Sequence, residues 1–188
     1  MRLFVAIELS DDVKKPLIKA QSVLRKRCDG VRWVGESAMH LTLKFIGDVD
    51  DNDVVDTTEA VSLGVDGVES FDMEVGGCGC FPDRGPLRTI WVGVSEPSGV
   101  LASCVGGIEG RLEELGFPRE RRPFSPHITL GRVRDDRSGG RIRSIVEAHE
   151  IEPLSEPVYG VSVMASELSP HGATYARVSQ AKFSSVTE

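Results

Sequence analysis

Apolar and polar residues follow one another along the chain in patterns that switch between strand spacing and helix spacing. The run at residues 3–7 is apolar and rich in β-forming residues, which predicts a buried strand. From residue 13 to 24 the apolar positions recur every three or four residues and predict one face of a helix. Residues 40–46 alternate strictly and predict a strand with one buried face. A helix near 53–63 and a strand near 71–75 complete this first unit.

The same order of elements recurs in the second half of the chain. A strand is predicted at 89–94, a helix at 101–115 that ends before Gly116, and a second alternating strand at 127–130. They are followed by a helix near 141–148, a strand at 159–166, a turn at 169–172 and a final strand at 174–179. The recurrence of whole units indicates an internal repeat.

The two copies are related by a constant spacing of 87 residues. The residues that match at this spacing are Phe4 with Trp91, His40 with His127, and Thr42 with Thr129. We therefore predict an α+β fold with two lobes related by a pseudo-two-fold axis. Each lobe is expected to have a mainly antiparallel sheet with helices on its outside, and a groove between the lobes. No linker divides the chain, so 1–188 is expected to be one domain whose repeat covers approximately 1–85 and 86–180.

Charge and hydropathy restrict the classes of function. The 188 residues carry a net charge of −7, which argues against a protein that coats nucleic acid non-specifically. A local exception runs from Arg119 to Arg134, where five arginines accompany a single acid. The N-terminal apolar run is too short for a signal peptide, and no stretch approaches the roughly 20 apolar residues of a membrane helix. We expect a soluble, cytoplasmic monomer without a membrane partner.

The four cysteines are Cys28, Cys78, Cys80 and Cys104, and in a reducing compartment they are expected to be free thiols. Cys78 and Cys80 are two residues apart and share a strand face, which would suit a pair of metal ligands. A structural zinc site needs about two further ligands at recognisable spacing, and the sequence has none. We predict no metal and no cofactor, and interpret the pair as small core residues.

Two His-x-Thr motifs carry the candidate chemistry. In a strand, His40 and Thr42 share one face, and His127 and Thr129 repeat this arrangement. One such motif is weak support for function, because a strand histidine is more often structural. Two copies on equivalent strands of pseudo-symmetric lobes place both polar faces at a shared groove.

Two facing histidines suit phosphoryl transfer between oxygen atoms. Imidazole titrates near neutral pH, so one ring can act as a base while the other donates a proton. In-line attack and departure require the acid and the base on opposite sides of phosphorus, as two facing lobes provide. Thr42 and Thr129 can donate hydroxyl hydrogen bonds to the non-bridging oxygens, although β-propensity alone also explains a strand threonine.

Residues 40–43 and 122–132 resemble the paired His-x-Thr-x motifs of the two-histidine (2H) phosphoesterases. The surroundings are similar to the 2′,5′ RNA ligase / RNA 2′,3′-cyclic phosphodiesterase branch of that superfamily. The similar stretches lie at residues 2–7, 31–34, 45–48, 80–82 and 166–168. The resemblance spans essentially the whole chain, and none of the four motif positions departs from it.

This resemblance implies hydrolysis of RNA ends that carry a 2′,3′-cyclic phosphate to 2′-phosphomonoester ends. The two-histidine scheme itself needs no metal, and no carboxylate cluster near either motif suggests one. The resemblance also implies that His40 is the proton donor and His127 the acceptor, an assignment that the nearly equivalent strands do not make by themselves. Some relatives also join tRNA halves through a 2′,5′ linkage, so tRNA halves are further candidate substrates.

Five basic residues near the motifs are candidates for contacts with RNA phosphates. In the family pattern Arg132 binds phosphate, and guanidinium suits that geometry. Strict alternation, however, places Arg132 on the face opposite His127, so a bulge or strand end after Gly131 is needed to turn it inward. Lys44 has the correct parity with His40, but a solvated lysine at the strand end is an equal alternative. Arg119 and its neighbours Arg121 and Arg122 could steer the rest of an RNA strand.

The other histidines and the tryptophans are interpreted as follows. His149 and His171 are expected to be structural or exposed. Trp33 and Trp91 could stack on bases, but core packing is the favoured role for Trp91, because its strand is equivalent to that of Phe4.

Two alternatives to the cyclic phosphodiesterase remain open. One is a binding module that holds RNA ends without turnover, although permanently charged arginines would serve binding better than paired histidines. The other is a 2H phosphodiesterase that acts on a small cyclic nucleotide or on ADP-ribose cyclic phosphate.

Overall fold

The computed structural model describes residues 1–136, 140–169 and 172–184. The strands in these residues are β1 (Arg2–Glu8), β2 (Val31–Trp33), β3 (His40–Asp48), β4 (Phe71–Phe81), β5 (Thr89–Ser95), β6 (His127–Val133), β7 (Leu154–Val158), β8 (Gly160–Ser169) and β9 (Gly172–Lys182). The α-helices are α1 (Asp11–Arg25), α2 (Val54–Gly64), α3 (Val100–Glu114) and α4 (Arg141–Glu147). Every predicted helix and strand is therefore present, whereas β2 and β7 were not predicted.

The strands form one curled antiparallel sheet in the order β7-β4-β5-β6-β3-β1-β8-β9, and β2 pairs with β6. The first lobe consists of β3, β1, β8 and β9. The second lobe consists of β7, β4, β5, β6 and β2. The predicted α+β fold with two lobes is confirmed, and the two sheets are continuous through β3 and β6.

The lobes in space do not coincide with the two copies in the sequence. β4 belongs to the first copy but pairs with β5 and β7 of the second. β8 belongs to the second copy but pairs with β1 of the first. The first copy thus gives β4 to the second lobe, and the second copy gives β8 and β9 to the first lobe, so the two copies share one sheet and one core.

The helices cover one face of the curled sheet. In the second lobe, α1 contacts β2 and β7, and α4 contacts β4. In the first lobe, α3 contacts β3, and α2 lies against α3 and β9. The side chains that fill the core beneath the helices alternate along the strands, as expected for a sheet with one covered face. They include Val5, Ile7, Leu41, Ile90, Val92, Ile128 and Leu130, all at most 2% exposed.

No helix among the described residues is both long and apolar enough to cross a membrane.

Candidate active site

β3 and β6 meet at the centre of the molecule, where Leu41 lies opposite Ile128. These two residues are themselves 87 positions apart, so their pair lies on the pseudo-two-fold axis. Both side chains are fully buried on the helix-covered face. Because side chains alternate along a strand, the residues on either side of Leu41 and Ile128 point to the opposite, groove face.

The register at this axis brings the four motif residues into one patch. In an antiparallel pair it sets His40 beside Thr129, and Thr42 beside His127. All four are half-buried. The histidines are diagonal neighbours, and diagonal residues of a regular antiparallel pair are roughly 7–8 Å apart, with their Cβ atoms somewhat closer.

Both motif strands carry a β-bulge directly after the His-x-Thr sequence. The register with β1 skips Leu43, and the register with β5 skips Leu130. As a result, Lys44 and Gly131 stay on the buried face instead of turning to the groove. The interruption occurs at the same position in both copies.

The bulge at Leu130 turns Arg132 to the face that carries His127 and Thr129, and its side chain is exposed. The bulge was expected after Gly131 and lies before it. Its effect is the expected one, because it moves Arg132 to the same face as His127. The equivalent position in the first copy is Phe45, which is 71% exposed on the groove face.

The corresponding bulge moves Lys44 away from His40. Lys44 is only 7% exposed. Its Nζ donates hydrogen bonds to Glu109 Oε1 at 2.9 Å and to the carbonyl oxygen of Pro118 at 2.6 Å. Both sequence interpretations of Lys44, as a phosphate ligand and as a solvated lysine, are therefore wrong, because neither anticipated the bulge.

His40 is enclosed by aromatic rings. Phe4 lies 4.9 Å from it between ring centroids, and Tyr175 of β9 lies edge-on at 5.3 Å. Burial lowers the pKa of His40 to about 4, partly opposed by the charge of Glu8. In the unliganded protein His40 is therefore neutral at pH 7.

Glu8 extends the groove face beyond His40, its partner across β1 and β3. Its carboxylate accepts hydrogen bonds from Ser162 at 2.7 Å and forms an ion pair with Arg177 at 2.8 Å. Burial raises the pKa of Glu8, but the bonds from Arg177 and Ser162 outweigh this and hold it below its ordinary value. A cavity of about 250 Å³ lies beyond Glu8 and reaches Tyr159.

His127 is oriented by the backbone of the preceding loop. Its Nδ1 lies 2.7 Å from the carbonyl oxygen of Ser125. A carbonyl can only accept, so in the neutral ring Nδ1 carries the proton and Nε2 keeps its lone pair. Phe81 packs edge-on against the ring at 5.0 Å. This arrangement equips Nε2 to accept a proton.

Trp91 lies on the groove face and not in the main core. Its partner across β5 and β6 is Thr129, and opposed residues share a face. The ring contacts Phe81 at 5.1 Å between centroids and lies over Gly79, where a Cβ would lie 2.2 Å from the indole. Its buried Nε1 has no hydrogen-bond partner in the described part of the chain. The sequence interpretation of Trp91 as a core residue is wrong. The large aromatic ring at this position lies on the groove face in both lobes, Phe4 beside His40 in the first and Trp91 in the second.

Several residues of the groove lay outside the sequence predictions, and the reason is topological. Phe81 is the last residue of β4, while Tyr175 and Arg177 belong to β9. Tyr175 and Arg177 are far from both motifs along the chain, and no pattern around them indicates a place in the groove. Phe81 lies in the family-like stretch at 80–82, but that resemblance did not predict its contact with His127. Phe45 could have been identified from the sequence, because the 87-residue spacing makes it equivalent to Arg132.

The remaining candidates lie away from the groove. Trp33 packs on the main core beside Gly131. His149 is half-buried just after α4. His171 and the centre of the predicted turn at 169–172 lie outside the described residues.

The described residues contain no cluster of three or more His, Cys, Asp or Glu side chains placed to hold a metal ion. Cys78 is half-buried and Cys80 is buried at the end of β4. Burial raises the pKa of Cys78 to about 12 and that of Cys80 to about 11, so both thiols stay protonated near neutral pH.

Comparison with known proteins identifies relatives over the full length. A family model described as LigT like Phosphoesterase matches twice, over residues 7–91 and 92–175. An RNA 2′,3′-cyclic phosphodiesterase of Thermotoga maritima is 33% identical over 183 residues, which cover 97% of this chain and 96% of the relative. A protein of the same name from Archaeoglobus fulgidus is 32% identical, with 93% and 96% covered.

Solved structures share the fold. The crystal structure of TT0787 of Thermus thermophilus has a TM-score of 0.81 and 26% identity, and the match covers 100% of both chains. E. coli LigT complexed with 3′-AMP has a TM-score of 0.76 and 23% identity, with 97% of both chains covered.

Proposed function

Because the chain belongs to the LigT-like phosphoesterase family, we propose that it hydrolyses RNA 2′,3′-cyclic phosphate ends to 2′-phosphomonoester ends. The relatives named above carry the name of this activity. The observation that carries the proposal is the patch formed by His40, Thr42, His127 and Thr129 around the pair of Leu41 and Ile128.

The proposed reaction uses the two histidines on opposite sides of phosphorus. Nε2 of His127 takes a proton from the attacking water as the new P–O bond forms. His40 gives a proton to the ribose 3′ oxygen as its bond to phosphorus breaks. The product is a 2′-phosphate beside a free 3′-hydroxyl. His127 then releases the accepted proton to solvent, and His40, now neutral, takes up a proton again with the next substrate.

The hydroxyls of Thr42 and Thr129 donate to the non-bridging oxygens, whose negative charge grows in the transition state. Arg132, turned to the same face, adds a guanidinium at the edge of the patch. None of these interactions requires a metal ion or a cofactor.

The low pKa of His40 is compatible with the role of acid only when substrate is bound. Burial keeps the free ring neutral at pH 7. An anionic phosphate placed against the ring favours the protonated form and raises its pKa. We propose that His40 gains its proton as the cyclic phosphate enters, so acid catalysis is coupled to binding.

The same geometry serves ligation when a 5′-hydroxyl of RNA replaces water as the attacking group. The new bond then joins the 2′-phosphate to a 5′ oxygen, and tRNA halves are the candidate substrates. Incubating a cyclic-phosphate oligonucleotide with a 5′-hydroxyl oligonucleotide tests this extension, and a joined product whose junction resists a ribonuclease specific for 3′,5′ linkages supports it.

Hydrolysis is tested with a short oligonucleotide ending in a 2′,3′-cyclic phosphate, in the presence of a chelator. The expected product is the 2′-phosphate, identified by ³¹P NMR. Tight binding without turnover would instead indicate a module that only holds RNA ends. A 3′-phosphate product would place the acid on the wrong ribose oxygen.

A further inference from the structure

A buried ion pair lies directly behind the groove. Lys44 of β3 and Glu109 of α3 meet at 2.9 Å, and their side chains are only 6% and 10% exposed. Two opposite charges in such a position are rarely left without further hydrogen bonds, since removal from water is costly. The other hydrogen bonds of Lys44 and Glu109 identify the segment of chain that the pair holds in place.

Both members of the pair bind the backbone of the segment between α3 and β6. Lys44 Nζ donates to the carbonyl oxygen of Pro118 at 2.6 Å. Glu109 accepts the backbone N–H of Glu120 at 3.1 and 3.2 Å to its two oxygens. The pair therefore fixes the chain on either side of Arg119.

The internal repeat explains why this segment needs an anchor. Residues 118–120 are 87 positions after β2. In the second lobe, β3 pairs with one edge of β6 at Ile128. β2 pairs with the continuation of the same edge, at residues 131–133. By pseudo-symmetry, residues 118–120 lie along the matching edge of β3, but they form no strand there. The side chains of Lys44 and Glu109 bind this backbone in place of the missing hydrogen bonds between strands.

The second lobe has its own polar anchor at the matching place. Gln21 of α1 is 6% exposed, and its Nε2 donates to the carbonyl oxygens of Val34 and Leu130. In each lobe a buried polar side chain from a helix thus ties a flanking segment beside a motif strand. The first lobe uses a charged pair where the second uses an amide.

The anchored segment is basic. It holds Arg119, Arg121 and Arg122, and it leads directly to His127. Arg119 pairs with Glu113 at 2.8 Å and Arg122 with Glu120 at 3.5 Å, both on the surface. In the described part of the chain, the exposed guanidinium of Arg121 has no ion-pair partner.

We propose that Lys44 and Glu109 are positioning residues that hold the segment 118–122 at the mouth of the groove, where its arginines bind the phosphates of the RNA strand beyond the reacting end. This inference rests on the proposed function. The segment contacts the RNA nucleotides beyond the reacting end and not the cyclic phosphate itself. Turnover of a substrate without further nucleotides therefore does not depend on the segment.

The test replaces the pair as a unit with Lys44→Met and Glu109→Met together. Replacing both charges by apolar side chains of similar length avoids an unpaired buried charge and preserves the fold. Arg111→Met with Glu114→Met is the matched control. It also removes one charge of each sign, but from an exposed ion pair on α3, the helix that carries Glu109. Circular dichroism and the thermal midpoint establish that both proteins are folded.

Three measurements separate the roles. Limited trypsin digestion should cut after Arg119 or Arg121 much faster in the Lys44/Glu109 variant than in wild type or control. Fluorescence anisotropy with a short RNA ending in 2′-phosphate should show about tenfold weaker binding, as expected for the loss of one charge-assisted phosphate contact. Turnover of a nucleoside 2′,3′-cyclic monophosphate should keep its kcat and KM.

Unchanged trypsin cleavage in the variant overturns the anchoring role, and faster cleavage with unchanged RNA affinity overturns the role in RNA binding. If the double variant fails to fold, Arg121→Gln tests the segment directly, since its side chain is exposed. RNA affinity equal to wild type in Arg121→Gln also overturns the proposal. Digestion and binding do not require turnover, so they remain informative even if the wild-type protein does not hydrolyse the cyclic phosphate.

Discussion

His40 and His127 occupy equivalent positions but have different surroundings, and this difference supports the proposal that they have different roles. His40 lies between Phe4 and Tyr175. His127 has its Nδ1 fixed by Ser125, which leaves Nε2 as an acceptor. The pseudo-symmetry of the strands therefore ends at the rings themselves, and the aromatic enclosure of one histidine could not be predicted from two identical motifs.

The low pKa of His40 makes folding stability depend on pH. In the unfolded chain the ring titrates near 6.5, and in the folded protein near 4. The unfolded state therefore binds more protons between these values, and stability present at pH 7 is lost as the pH falls through this window. Allowing for partial exposure, we expect the His40 contribution to fall by about 1–2 kcal/mol from pH 7 to pH 5.

Urea unfolding of wild type and His40→Asn at the two pH values measures this contribution. The variant should lack that part of the pH dependence, whatever its absolute stability. Equal pH dependence in both proteins would show that His40 titrates normally in the folded state.

The motif threonines are expected to act through their hydroxyls. Thr42→Val and Thr129→Val keep the shape and the β-propensity of the side chain but remove one donor to the phosphate. Each should lower the single-turnover rate about tenfold, the lower value for one hydrogen bond to a charged group, which is less than loss of either histidine, with little effect on the thermal midpoint. Thr174→Val on the exposed part of β9 is the control and should retain the wild-type rate. Full activity in both motif variants would assign the threonines to β-propensity alone.

At the scale of elements, the long strands and helices were predictable because each carries its own periodicity. The bulges after Thr42 and Thr129 were not, since strict alternation gives no sign of an extra residue. They moved Lys44 into the core and Arg132 to the groove. β2 has only three residues, and β7 contains Pro157, so neither shows a strand pattern of its own.

The crossing of α2 and α3 depends on glycine at one position and not at its neighbour. A Cβ on Gly107 would lie 2.1 Å from the carbonyl oxygen of Gly64, whereas a Cβ on Gly106 would meet nothing within 4 Å. Gly107→Ala should therefore force the helices apart and destabilise the protein by about 1–3 kcal/mol. Gly106→Ala should stabilise it by up to about 1 kcal/mol, because alanine favours the helix.

Denaturant unfolding of the two variants provides the comparison. Both carry the same substitution on the same helix, so helix propensity cancels between them. Equal stability of the two would contradict the close approach of α2 and α3.

At the scale of the molecule, the repeat predicted two lobes and a shared groove, but it did not predict which strands each lobe contains. A constant offset of 87 residues relates positions in the chain and carries no information about sheet partners. The structure exchanges β4 and β8 between the copies. This exchange brings Phe81 to His127, while β9 brings Tyr175 to His40.

The central proposal is that His40 and His127, placed on either side of the axis through Leu41 and Ile128, act as one acid–base unit. His40→Ala and His127→Ala should each lower the rate of cyclic phosphate hydrolysis by roughly 10²–10⁴, while binding of a phosphate-ended RNA changes little. The double variant should lose far less than the product of the two factors, because groups that act together are not additive. His149→Ala, outside the groove, is the control and should retain the wild-type rate.

The most direct measurement is the single-turnover rate of these four proteins on one oligonucleotide with a 2′,3′-cyclic phosphate end. The account predicts that both single variants fall together to nearly the level of the double variant, with the control unchanged. A near wild-type rate in a protein that lacks either His40 or His127 would contradict it.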